Sequence, residues 1–205
     1  MASFDRNRAD GDFENRESYP AELFPAEIVS EGIHFNMGGT KDEENNVVDC
    51  KGQTISLPSG NFNKVYILAA SAGDLKGEFL VGSQPVNLTV QSWTGFIGQF
   101  YNRILTPNGK DVLNVKEAFV KNSNIAWYAS HLHKRYPTEN EAYKYSYIYK
   151  YEIDLPKNVA SITLPKNDKI KVFAITFAQK LGDDVQVLQP LMDDFKENKS
   201  YKMRN

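Results

Sequence analysis

Residues 143–155 read Tyr-Lys-Tyr-Ser-Tyr-Ile-Tyr-Lys-Tyr-Glu-Ile-Asp-Leu, with an apolar or aromatic side chain at every odd position and a polar one at every even position except Ile148. Successive side chains of an extended chain point to opposite faces, so Tyr143, Tyr145, Tyr147, Tyr149, Tyr151, Ile153 and Leu155 form one row opposed to Lys144, Ser146, Lys150, Glu152 and Asp154. A helix would scatter the same residues around its circumference. Pro156 ends the run and Lys157-Asn158 opens a turn before a second short apolar stretch at 161–164, the pattern of an antiparallel meander. The row is longer than one binding site could use and ends in Ile153 and Leu155, so most of it is assigned to a sandwich interior.

Outward from the row, strands are predicted at 33–37, 47–50, 54–57, 64–71, 77–81, 86–90, 125–133, 161–164 and 170–178, separated by Gly, Pro and Asn. The last of these is almost continuously apolar, as suits a central strand covered on both faces. Residues 98–124 are weakly patterned, with a strand or loop at 98–105 and a turn at Pro107-Asn108-Gly109. Together these predict an all-β fold, an antiparallel β-sandwich or jelly roll with at most one short helix. Residues 1–30 are predicted to be an ordered loop segment packed by Phe13, Tyr19, Leu23 and Phe24, with one possible helical turn after Pro20. The domain is expected to span 1–180, followed by a polar tail over 181–205.

The 205 residues suit one all-β domain. Its 24 Lys and Arg nearly balance 26 Asp and Glu for a net charge of -2, which gives no field to select nucleic acid or an anionic membrane. The longest apolar runs fall far short of the roughly 18 residues a membrane helix needs, and the start has no signal-peptide pattern, although it also fits a segment of a longer protein. A single cysteine, Cys50, excludes an intrachain disulfide framework and reads as a buried strand residue.

Three groups of residues could carry chemistry. His131 and His133 lie two apart and project from one face of a strand, close enough to share a ligand. A zinc site would need further ligands, for which only Glu139, Glu141 and distant carboxylates are at hand, so these imidazoles are expected to hydrogen-bond the loop 138–142. Asp5, Asn7, Asp10 and Asp12 alternate oxygen-bearing side chains around Gly11 and could wrap calcium. Their spacing is not that of an EF-hand and two arginines intervene, so a loop of Asx turns is the competing expectation. Finally Trp93, Phe96, Trp127, Tyr101 and Tyr136 are aromatic residues near loops. An indole or phenol can cover the apolar face of a pyranose while Asn140, Glu141 or similar groups bind its hydroxyls, whereas a tryptophan at a strand end can equally close a core. There is no nucleophile elbow, phosphate-binding glycine loop or HExxH, and carboxylate pairs for glycoside cleavage carry no meaning without a known separation.

Asp10-Gly11-Asp12-Phe13 followed by Tyr19-Pro20-Ala21-Glu22-Leu23, then Lys51-Gly52-Gln53-Thr54-Ile55-Ser56-Leu57-Pro58, the stretch 62–71, the segment 127–133 and 145–156 occur in an order that resembles the C-terminal β-sandwich of bacterial family 38 glycoside hydrolases, the α-mannosidases. More broadly they are similar to galactose-binding-like jelly rolls of carbohydrate-active enzymes. The resemblance implies a non-catalytic accessory domain that acts mainly by packing against the catalytic domain of its parent enzyme, with glycan contact as an additional, secondary role. The zinc and the carboxylate nucleophile of such enzymes would belong to that absent domain, and calcium here would be structural. A periplasmic or secreted parent fits this reading, and the compartment stays open. The alternatives are a free-standing carbohydrate-binding module built on Trp93, Phe96, Trp127, His131, His133, Asn140 and Glu141, and an autonomous hydrolase using two carboxylates.

Overall fold

In a computed structural model of the protein the residues described are 2–3, 13, 16–41, 44–96, 98–105, 111–119, 124–134, 139–140 and 144–180, without the side chains of 3, 96, 98–105, 111–119 and 139. Each apolar alternation in the sequence forms a strand. In chain order the strands are β1 (Ala2–Ser3), β2 (Tyr19–Pro20), β3 (Glu27–Ser30), β4 (Ile33–Asn36), β5 (Val48–Lys51), β6 (Thr54–Ser56), β7 (Lys64–Ser71), β8 (Leu75–Val81) and β9 (Gln84–Val90). They continue with β10 (Thr94–Phe96), β11 (Gly98–Leu105), β12 (Asp111–Phe119), β13 (Ile125–Ala129), β14 (His133–Lys134), β15 (Glu139–Asn140), β16 (Lys144–Asp154), β17 (Ser161–Thr163) and β18 (Lys166–Ala178).

The larger sheet runs β10-β16-β7-β18-β5, with β13 also paired to β16, and the smaller runs β6-β17-β8-β9. Their strand pairs are antiparallel. The sheets enclose Val65, Ile67, Ala69, Phe79, Val81, Val90, Ile153, Ile162, Ile170 and Val172 in one cluster. The fold is an antiparallel β-sandwich.

Alternation along β7 shows that the larger sheet is covered twice. Its odd residues join the core between the sheets, while Tyr66, Leu68 and Ala70 join a second cluster with Ile28 and Phe35 of the β3–β4 hairpin, Phe13, Tyr19 and Phe24 of the N-terminal segment, and Trp93, Ile148 and Phe173. This explains why β7 and the middle of β18 read as continuous apolar runs.

The tyrosine strand keeps its place but not its simple two-sided character. Ile153 and Leu155 are buried between the two sheets, but Tyr147 and Tyr149, expected there too, are buried in the second cluster with Tyr19 and Trp93, and Tyr145 and Tyr151 are half-buried. Ser146 and Lys150, on the opposite side, are buried as well. The β3–β4 hairpin supplies the partners of Lys150, whose ammonium bonds the Glu31 carboxylate and approaches the Ser30 carbonyl at 3.4 Å, while the Ser146 hydroxyl donates to the His131 carbonyl at 2.9 Å. The charge is tolerated inside because it is paired there.

The N-terminal segment holds more strand than the sequence suggested. Pro20 and Ala21 carbonyls accept from the Leu23 and Phe24 amides, closing a turn, but Leu23 is exposed, contrary to its expected packing role. The unforeseen β3 pairs with β4 through the two-residue turn Glu31-Gly32. Residues 98–105 and 111–119 form a hairpin, where sequence offered a weak pattern. The predicted strand at 125–133 ends at Ala129, and His133–Lys134 pairs separately with Glu139–Asn140. The predicted tail 181–205 lies outside the described residues.

Candidate functional site

Strand register brings three segments to one end of the sandwich. Lys64 opposes Asp154 across β7 and β16, and also opposes Ala178 across β7 and β18. The chain entering β7, the chain leaving β16 and the chain leaving β18 must therefore meet. They enclose an open groove of about 590 Å³ lined by Asn61, Phe62, Asn63, Lys157, Asn158 and Gln179, among others.

Local chemistry fixes each wall. Asn63 ties two of the segments together: its amide donates to the Lys180 carbonyl at 2.9 Å and its carbonyl accepts from the Lys180 amide at 2.8 Å. Asn158 sits at φ 66°, the left-handed region that asparagine tolerates, in the turn the sequence placed there. Gly60, at φ 154°, lies so close to the Phe62 ring that a Cβ would stand 2.6 Å from it. Phe62 in turn packs on Phe177 at 5.8 Å between centroids. A supported aromatic ring is thus flanked by exposed amide and ammonium side chains.

An ion-pair cluster lies at the paired ends of β7 and β16. Lys64 bonds both Glu152 and Asp154, with 2.6 Å to Asp154, and these two bonds hold its ammonium pKa above the ordinary lysine value. Beside it a smaller pocket of about 130 Å³ is lined by Glu31, Tyr66, Lys150, Glu152, Gln179 and Lys180, among others, so Gln179 borders both spaces.

The residues singled out from sequence fall elsewhere. Trp93 is 2% exposed and its face is covered by Phe13, with centroids 4.0 Å apart and planes 1° from parallel. The exposed indole expected there is absent, and the ring closes the core, because an apolar residue from the N-terminal segment occupies the face a sugar would use. Trp127 is half-buried and meets Tyr19 and Phe24 edge-on at 5.8 and 5.6 Å. The backbone of Phe96 pairs with Lys144. His131 and His133 do come together, with rings 5.5 Å apart. His133 is buried with its imidazole 3.7 Å from the Glu22 carboxylate, and Asn140 opposes it on β15. Among the described residues no three His, Cys, Asp or Glu side chains are grouped to hold a metal ion. Asp5, Asn7, Asp10, Asp12, Tyr136 and Glu141 lie outside the described residues, as do the side chains of Phe96, Tyr101 and Glu139.

Sequence reasoning missed the groove residues, although the signals were present as the turn-forming residues of 58–63 and 156–158. Only the register makes those turns neighbours. It also missed Tyr128, which is 62% exposed with its ring 6.1 Å from that of Tyr145.

The fold and this loop-built end define a β-sandwich domain whose exposed polar groups gather beside an aromatic ring. The chain belongs to the AziU2-like β-sandwich domain family, whose sequence profile matches residues 1–181. A comparison with curated proteins gives no match. The family match supports the sandwich and does not support assignment to the C-terminal region of family 38 glycoside hydrolases.

Proposed function

We propose that the protein is a non-catalytic binding domain that contacts a glycan through the groove at 57–63 and 156–159, working beside the catalytic domain of a carbohydrate-active, α-mannosidase-like enzyme. The observation that carries the reading is the convergence of the Asn61, Asn158 and Gln179 amides and the Lys157 ammonium around Phe62. A side-chain amide donates and accepts at once, which matches vicinal hydroxyls, and a ring can cover the C–H face of a pyranose. The sequence stretches that resemble the glycoside hydrolase sandwiches, 51–58, 62–71 and 145–156, are also those whose ends build this groove, which favours the accessory role.

The test is a titration of the full chain with methyl α-mannoside and α-linked mannose oligosaccharides, followed by backbone amide NMR. Saturable shifts at 57–63 and 156–159 that weaken in Phe62→Ala and Asn158→Gly are expected. Shifts that do not saturate, or that saturate equally in both variants, would sink the proposal. Tryptophan fluorescence is a poor readout, since Trp93 and Trp127 both pack in the core around Tyr19.

A further inference from the structure

The smaller pocket, of about 130 Å³, has a buried floor beneath an exposed rim. Glu31, Gln179 and Lys180 on its lining are exposed, whereas Tyr66 is 2% and the Lys150 side chain 4% exposed, so the space opens to solvent. Register builds it: Lys150 and Glu152 are two residues apart on β16 and face the same side of the sheet, and Tyr66 of β7 opposes Glu152. Half-buried Ile33 of β4 and Ala178 at the end of β18 supply its apolar wall. A cavity of this size holds several waters and is well below the groove's 590 Å³, so it suits a substituent of a sugar better than an oligosaccharide.

Two polar groups on this lining have capacity left over. The Lys150 ammonium carries three donors. It bonds the Glu31 carboxylate and approaches the Ser30 carbonyl at 3.4 Å, and among the described residues no third acceptor meets it. Lys64 bonds one oxygen of Glu152, and the other oxygen accepts from none of the described residues. The strand rise sets this donor and this acceptor on side chains about 7 Å apart along β16. The charges themselves are already matched, Lys150 by Glu31 and Glu152 by Lys64. An entering anion would face two carboxylates and an entering cation would face Lys150 and Lys180, so the pocket selects a neutral group.

We infer that this pocket receives the acetamido group of an N-acetylated sugar, with Lys150 donating to the acyl oxygen, Glu152 accepting from the amide N–H, and Ile33 and Ala178 covering the methyl. The N–H and C=O of a trans amide point in opposite directions, as two partners spaced along one strand require. A bare hydroxyl has no methyl for the apolar wall, and a free amino group brings a positive charge beside Lys150. The inference deepens the glycan-binding reading and rests on it, since Gln179 borders both spaces and a ring lying toward the groove can turn its acetamido group into the pocket.

The test is a titration of the full chain with N-acetylglucosamine, glucosamine and glucose, followed by backbone amide NMR. N-acetylglucosamine is expected to give saturable shifts at 31–33, 150–152 and 178–180, and the two sugars without an acetamido group are expected to leave those residues unmoved. Lys150→Met should weaken binding about tenfold, the scale of one hydrogen bond from a charged donor. Gln179→Ala, at an exposed position, should weaken it while leaving the fold undisturbed. The inference is overturned if N-acetylglucosamine gives no saturable shift at these residues, if glucose or glucosamine moves them equally, or if both variants bind as tightly as the parent. Failure of the groove reads out separately: pocket shifts with 57–63 and 156–159 silent for every sugar would uphold the acetamido site and sink the groove.

Discussion

Replacing Glu31 by glutamine is expected to destabilise the fold by about 1–2 kcal/mol, between the limits set for buried and exposed ion pairs. The Lys150 side chain is 4% exposed, and Glu31 is 67% exposed. Breaking a fully buried pair by removing one partner costs about 3–5 kcal/mol, whereas an exposed pair contributes about 0–1 kcal/mol. Water can reach the Glu31 side of this pair, and the Ser30 carbonyl and the Tyr66 ring, 5.7 Å from the ammonium, remain after the change. The cost therefore falls toward the lower limit. Lys150→Met behaves differently, because it removes the buried charge and leaves only a solvated carboxylate, so it should cost less than Glu31→Gln. Glu31→Asn separates a further effect: Glu31 and Gly32 hold φ 52° and 76° in the hairpin turn, a conformation in which Asn-Gly is favoured, so part of the lost pairing is recovered as backbone relief. Urea unfolding measures all three, and the glutamine variant should melt about 2–8 °C lower for a chain of this size. The bond from Lys150 holds the Glu31 carboxyl below its ordinary pKa despite partial burial. Its contribution is thus complete above the unfolded carboxylate value near 4.3 and disappears as pH falls through the lower folded value, so the glutamine variant should show a flatter acid limb. The reasoning fails if Lys150→Met is as damaging as Glu31→Gln, or if Glu31→Gln leaves the unfolding midpoint unchanged.

Gly60→Ala should displace the Phe62 ring and its neighbours, visible as aromatic shift changes around Phe62 and Phe177 with little change in the unfolding of the rest of the protein. Phe13→Ala should cost about 3 kcal/mol or more and move the tryptophan emission to the red, because it uncovers one face of Trp93; an unshifted spectrum would mean that the stack does not form in solution. Cys50 should resist iodoacetamide at pH 8 in the folded protein and react on unfolding, since burial, reinforced by Asp49, raises its thiol to about 12. Rapid labelling of the folded chain would show that β5 opens readily.

Period-two alternation made the sandwich legible because it is a local property: Tyr145 to Leu155 declare a strand without reference to any other residue. The same locality hides what the far face of the sheet meets. Lys150 reads as a solvent-facing lysine until the β3–β4 hairpin is folded onto it, and nothing near Lys150 in sequence announces Glu31, 119 positions away. Trp93 was left open between platform and core for the same reason, since the choice was made by Phe13, about 80 positions earlier in the chain.

The candidate groove shows where such information resides. Pro58, Gly60, Asn61 and Asn158 are individually ordinary turn residues, and their chemistry becomes joint only because β7 pairs with β16 and β18 with their 64, 154 and 178 ends aligned. A slip of the β7–β16 register by one residue would turn Tyr151 and Ile153 toward the hairpin side and part the two turns together. Core and groove are therefore set by one pairing, and a substitution that loosens Ile153 against Val65 should weaken binding at the groove before it alters any residue that lines it.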